Sequence, residues 1–280
     1  MLLDAFKSEA YRLSKNRSTL FWAVGFVPLV MVVGGSAVAH FISSKTKEMS
    51  TGIEAASNAD LAVPFVTMSG QVANVASIAF LLIAAATLFA GDYRWETWRL
   101  ISARNSRTNL MAGKLLTLLA LVVGASLLFL VSVVMLLVIA SLIEGSPMSL
   151  ALSAEQGRQL GLNYALGVAR IVQVLVLALL AATVTRSLMA ALFVPIALSI
   201  AQSMGEKFLI FANIMPTDWQ AIAFSPGLAF SHLKTAILGG LPPELANTVP
   251  MLSLTSLGLW IAVPVILSFI LFQRQGMSKE

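Results

Sequence analysis

Cysteine is absent from this 280-residue chain. That excludes disulfides and thiolate-held metals. Histidine occurs only as His40 and His232, with no H-E-x-x-H pattern, so a zinc protease is not expected. No G-x-x-x-x-G-K-S/T loop is present, so the chain does not bind and hydrolyse ATP by that route. The stretch GGS at 34–36 lacks a paired base in reach, and its glycines suit close helix packing better than a hydrolase. Charge is scarce as well. Asp, Glu, Lys and Arg make up 11% of the residues, against about 25% in a soluble domain. So few charges cannot cover a water-facing surface, which makes lipid the solvent.

What fills the chain instead is apolar. Hydrophobic residues reach 58%, and the mean hydropathy is +0.87. Six runs are long enough to cross a bilayer, at about 20–41, 72–90, 115–143, 164–184, 187–204 and 251–272. The third is too long for an upright crossing, so it must tilt or extend past the lipid. The fourth and fifth are separated only by TRS around Arg186, which predicts a tight helical hairpin. SAVAH at 36–40 resembles a leader-cleavage site, but the apolar run before it is too long and its flank carries Asp4 and Glu9. An uncleaved first span is expected.

Charge distribution sets the orientation. With both termini inside, twelve Lys and Arg lie on the inner side, five lie on the outer side, and Arg170 lies within a span. Eight of the thirteen acids lie outside. This positive-inside bias predicts an N-in, C-in protein. It also accounts for the net charge of +5 without nucleic acid. The expectation is a single all-α integral membrane domain over 1–280.

Residues 1–18 read as an amphipathic interfacial helix, with Leu2, Phe6 and Leu13 near one face. Asp4, Glu9, Arg12 and Lys15 spread over the other face. Ser18 or Thr19 is the expected cap of the first span. The first outer loop, about 42–70, is polar. The third, about 205–250, is apolar but broken by Pro216, Pro226, Gly239, Gly240, Pro242, Pro243 and Pro250. Its pieces are too short to span, which predicts re-entrant or interfacial helices, a lid over the outer end of the bundle.

One charged stretch stands between two spans: GDYRWETWRLISARNSRTNLMAGKLL, at 91–116. As a helix it aligns Trp95, Trp98 and Ile101, with Arg94, Arg99 and Arg104 mostly elsewhere. Glu96 can pair with Arg99 for about 0.2–0.5 kcal/mol. SARNSRTN then breaks the helix, and Lys114 is placed to snorkel at the foot of the third span. Two readings fit the stretch. It anchors a loop at the membrane interface, or it offers a water-facing surface to a soluble partner.

Here the sequence resembles the ABC-2 type permeases, the membrane subunits of a large group of ATP-driven transporters. Those carry an acid followed by a Gly-Thr pair, a basic segment ending near Pro-x-Ser-Arg, and a lysine opening the third span. The matching positions are Asp92, Thr97, Ser106, Arg107 and Lys114. Glu96 stands where the family prefers glycine, and Arg104 where it prefers proline. The N-terminal helix, the six spans and the broken helices before the last span extend the resemblance over nearly the whole chain.

The resemblance implies a permease subunit of an exporter in the bacterial inner membrane. It would pair with a second copy or a related permease and work with two separate ATPase subunits that carry ATP and Mg. This chain would bind no cofactor and catalyse no reaction. The segment 91–114 would be the coupling element, with Asp92, Arg94, Glu96, Thr97, Arg99, Arg104, Ser106 and Arg107 meeting the ATPase.

Within the lipid, Arg170 falls about two turns inside the fourth span, with Gln173 three residues on. A charge there costs about 2.5–3.5 kcal/mol on insertion scales. Either it pairs with an outer acid such as Glu144 or Glu155 on a substrate path or gate, or it snorkels to outer headgroups. Asn74, Ser199 and Gln202 join the candidate path; the alternative is that they form helix–helix hydrogen bonds. Pro195 and Pro264 are expected to kink their spans. A mostly apolar lining suits a lipid-like, peptide or other amphiphilic substrate. Two other functions fit the composition: a non-transporting membrane anchor, and an ion-coupled carrier. A carrier needs acids within the spans, and the apolar runs contain none.

Overall fold

The computed structural model describes residues 1–49, 59–94, 105–145 and 148–275. The chain begins with helix α1, Leu2–Lys15. Asn16 ends it and caps the next helix, its Oδ1 accepting the Thr19 N–H at 3.2 Å. The cap therefore lies two or three residues earlier than the hydroxyls of Ser18 and Thr19 suggested. The first span runs as α2, Arg17–Leu20, a π turn at Phe21–Gly25, and α3, Phe26–Met49. Pro28 has no N–H for the Val24 carbonyl, and the widened turn lies just before it. There the Trp22 ring packs on Phe26 and stacks on Phe80, with centroids 4.7 and 5.8 Å away.

The remaining long helices are α5, Val75–Arg94, α6, Arg107–Glu144, α7, Ala154–Thr185, α8, Leu188–Leu209, and α11, Thr248–Arg274. With the first span they give six helices long and apolar enough to cross a membrane. Helix α6 has 38 residues, about 57 Å at 1.5 Å per residue, which exceeds a hydrocarbon core of about 30 Å. Helix α7 starts ten residues before its apolar run, at a capping box in which Ser153 and Gln156 bond each other's backbone N–H. Arg186 closes α7 in the left-handed region, φ 56°, and α8 begins two residues later, so the expected hairpin forms. Helices α8 and α11 continue through Pro195 and Pro264.

Helix α7 is the inner helix of the bundle. It packs on α5, α6, α8 and α11, and 72% of its most apolar window is buried, against 6% for the first span. Its Ile171, Leu175, Val176, Ala178, Leu179 and Ala182 form the centre of the main core.

Side-chain contacts sort the connecting segments onto two ends. At one end Arg107 Nη1 donates to the Gln273 and Gln275 carbonyls at 2.9 and 2.8 Å. Tyr93 donates its hydroxyl to Gln275 Oε1 at 3.1 Å, and Gln275 Nε2 donates to the Thr183 carbonyl. Helix α1 lies against α6 at this end. Opposite lie α4, Ala62–Ser69, α9, Trp219–Phe224, and α10, Pro226–Ile237. There β1, Ala59–Asp60, pairs in parallel with β2, Met148–Ser149. This strand pair departs from the all-α expectation, and two residues are too few to show alternation. The helix expected to stop near 41 instead runs on to Met49.

Candidate functional site

The N-terminal helix meets the bundle through small residues. Ala5 and Glu9, one turn apart on α1, are 3% and 4% exposed. They face Gly113 of α6, where an added Cβ would lie 2.8 Å from Ala5 Cβ and 3.0 Å from the α1 backbone. Glycine allows that approach, and the approach brings Glu9 to Lys114. Lys114 Nζ lies 3.1 Å from Glu9 Oε1 and 2.6 Å from Asp92 Oδ2, and donates to the Leu88 carbonyl at 2.9 Å. Arg12 completes the cluster, 3.2 Å from Glu9 and 2.8 Å from Asp92. Among the described residues, two carboxylates and two cations thus form an ionic quartet.

Asp92 is 0% exposed and Lys114 1%. Lys114 therefore does not snorkel, and Asp92, expected on a partner-facing surface, is an internal counter-ion. Glu9 likewise turns inward from what looked like a solvent face, and Arg12 reaches in to it from a half-exposed position. Arg12 keeps one side open to a cavity of about 130 Å³ lined with Glu9, Leu13, Asn16, Thr87 and Leu88. Its hydrogen bond to Asp92 raises its pKa above the ordinary value.

The quartet is one foot of the charged connector. The other foot is Asn105–Arg107. Asn105 Nδ2 donates to the Met1 carbonyl at 2.9 Å. Ser106 caps α6, accepting the Asn109 N–H at 3.3 Å. Arg107 covers the last carbonyls of α11, where a cation also favours the helix dipole. Arg94 is the last residue of α5. Glu96, Thr97, Arg99 and Arg104, with the Trp95/Trp98 stripe, lie outside the described residues.

A second polar assembly lies toward the opposite end. Helices α9 and α10 meet at Ser225, and this tip is wedged among α7, α8 and α11. The last carbonyls of a helix have no partners within it. Here the spans supply them. The Ile222 carbonyl accepts from Ser256 Oγ at 2.7 Å, Ala223 from Trp260 Nε1 at 2.9 Å, and Phe224 from Gln202 Nε2 at 3.1 Å. Ser225 Oγ donates to the Glu206 carboxylate and accepts the Leu228 N–H at 3.2 Å, capping α10 ahead of Pro226.

Arg170 reaches this tip. Its Nη1 donates to Gln173 Oε1, and its Nη2 would lie 3.5 Å from a Cβ on Gly227. The acid near it is Glu206, not Glu144 or Glu155. Glu155 is held by Arg158 at 2.7 Å, and Glu144 is exposed at the end of α6. Nor does Arg170 leave for a headgroup layer; it points across to α10. The structure thus brings Arg170, Gln173 and Gln202 together. It leaves out Asn74, whose Oδ1 accepts the Ser77 N–H at 2.9 Å at the start of α5. It also leaves out Ser199, whose carbonyl accepts from Ser203 at 2.9 Å.

Sequence reasoning missed Glu206, Ser225, Ser256 and Trp260. A signal was present. Gln202/Glu206 and Ser256/Trp260 are polar-capable pairs four residues apart, each on one face of an apolar helix. Two such pairs imply a shared polar neighbour within the bundle. Comparison with family models, with curated proteins and with solved structures finds no match for this chain.

Proposed function

We propose that this chain is the permease subunit of an ATP-binding-cassette exporter, driven by separate ATPase subunits and lying N-in, C-in in a bacterial cytoplasmic membrane. The observation that carries this reading is the pinning of both feet of the charged connector. Asp92 ties one foot to α1 and α6 through the quartet, and Asn105–Arg107 tie the other to α1 and α11. Force applied to 95–104 therefore reaches four helices at once. A loop that only floats at an interface needs no such footing. ATP and Mg belong to the partner ATPases, two per pair of permeases. Closure of those ATPases would push the connector and shift the bundle as packed bodies. Helices α9 and α10 form a re-entrant hairpin whose bonded tip keeps irregular backbone out of lipid.

The test is reversal of Arg99 and Arg104 together to Glu, with co-purification in mild detergent as the readout. The expected result is loss of an ATPase subunit that accompanies the unaltered protein. An unchanged complex with unchanged transport would overturn the reading. Arg107 is unsuited to this test because it also caps α11. Ion-coupled carriage has one observation in its favour: Glu206 lies in the last turn of α8 beside Arg170. Transport persisting in vesicles without any ATPase would select it.

A further inference from the structure

The cavity of about 130 Å³ between α1 and α5 is bordered by groups that the quartet does not use up. Glu9 Oε1 takes both cations, Lys114 at 3.1 Å and Arg12 at 3.2 Å. Among the described residues no group bonds Glu9 Oε2, and that oxygen is not one of the sealed, unbonded atoms of the interior. It therefore opens on the cavity that Glu9 borders. A carboxylate whose side chain is only 5% exposed thus keeps one acceptor for something outside the chain. Arg12 donates through Nη1 to Glu9 and through Nη2 to Asp92, out of five N–H groups. Asn16 spends its Oδ1 on the Thr19 N–H, and its Nδ2 has no acceptor among the described residues. The cavity has room for about four waters.

These groups select the occupant. A lone anion on Arg12 would lie beside the bare oxygen of Glu9. A lone cation on Glu9 would lie beside the Arg12 guanidinium. A quaternary ammonium has no N–H to give. A primary ammonium joined to a phosphate meets both needs. Its N–H groups donate to Glu9 Oε2, and its phosphate oxygens accept from Arg12 and Asn16. The cavity also has an apolar wall, Leu13 and Leu88. Ile83, one turn from Thr87 on the same face of α5, is exposed, and the exposed Trp22 ring stacks on Phe80 three residues further. An apolar track thus leaves the cavity toward the middle of the span, where an acyl chain would lie. We infer that the cavity between α1 and α5 binds the phosphoethanolamine head of a membrane phospholipid, with its ammonium on Glu9 and its phosphate on Arg12. The inference rests on the chain's crossing a membrane and not on what drives it.

Methylation of the ammonium gives a graded test on the unaltered protein. The full chain is placed in phosphatidylcholine nanodiscs containing phosphatidylethanolamine, its N-methyl or N,N-dimethyl derivative, or phosphatidylglycerol. Retained lipid is measured by native mass spectrometry. Thr87→Leu supplies a second arm. The Thr87 hydroxyl donates to the Ala84 carbonyl of its own helix, so its loss leaves no donor unpaired, and leucine extends into the cavity.

The expected result is retention of phosphatidylethanolamine about tenfold over phosphatidylcholine and phosphatidylglycerol, the scale of one charge-assisted hydrogen bond. Retention should fall with each methyl added, and Thr87→Leu should abolish the preference at an unchanged melting temperature. Soluble phosphoethanolamine, added to nanodiscs of phosphatidylcholine alone, separates the sources: binding shows that the free head suffices, and no binding that the acyl chains are needed; both uphold the pairing. A flat profile across the methyl series, equal retention of phosphatidylglycerol, or the full preference in folded Thr87→Leu would each overturn it. If Thr87→Leu does not fold, the methyl series on the wild type decides.

Discussion

Lys114 has three N–H groups, and among the described residues it meets Glu9, Asp92 and the Leu88 carbonyl. Lys114→Met would remove one cation from two buried carboxylates, Glu9 and Asp92. The expected loss is about 3–5 kcal/mol, read as a lower unfolding midpoint in nanodiscs. Adding Glu9→Gln restores charge balance and should recover part of it, a positive coupling in a double-mutant cycle. Arg12 sets a pH expectation. A base whose pKa is raised contributes stability that is complete below its ordinary value and is lost as pH rises through the raised one. Docking of α1 should therefore not titrate through Arg12 between about pH 6 and pH 10, as followed by hydrogen exchange of residues 2–15. Each of these charges is visible in the sequence, but their partnership is not. Glu9, Asp92 and Lys114 come from three separate helices, and an isolated carboxylate on an amphipathic helix looks the same whether it faces water or a lysine.

At the scale of elements, apolar runs located the spans but not their ends. Hydropathy stops where charge begins, whereas a helix stops where its backbone finds a cap. Helix α7 therefore starts at the Ser153 capping box and α6 at Ser106, both well before the lipid-soluble part. The glycines and prolines of 205–250 announced short broken helices, and α9 and α10 are there. The bonds that hold their tip depend on tertiary neighbours, which only the spacing of polar residues hinted at.

Trp260→Phe removes the donor to the Ala223 carbonyl. It should cost about 1–3 kcal/mol and speed hydrogen exchange at 222–228, with Ser256→Ala acting in the same direction. Gly113→Val would press into Ala5, already 2.8 Å from an added Cβ. The expected outcome is a detached, protease-sensitive α1 over intact spans, scored by limited proteolysis in nanodiscs.

For the whole molecule, the start of α1 and the end of α11 both meet residues 105–107. The six helices long and apolar enough to span were legible, because lipid enforces length and helicity more strictly than water does. The two-residue strand pair was not, since nothing so short has a periodicity. The lack of cysteine makes topology directly testable, because any cysteine introduced is unique. Glu244→Cys should react with an impermeant maleimide on intact cells, and Arg99→Cys only after permeabilisation; the reverse pattern would invert the orientation. Helix α6, with 38 residues, is the longest among the described residues. Gripped by the quartet near one extremity, it meets a half-open apolar hollow of about 210 Å³ near the other, where Val134, Leu137 and Val138 face Phe65 and Met148. From Lys114 to Val138 the rod is about 36 Å long, so a swing of about 5° about the quartet moves it by about 3 Å at that hollow.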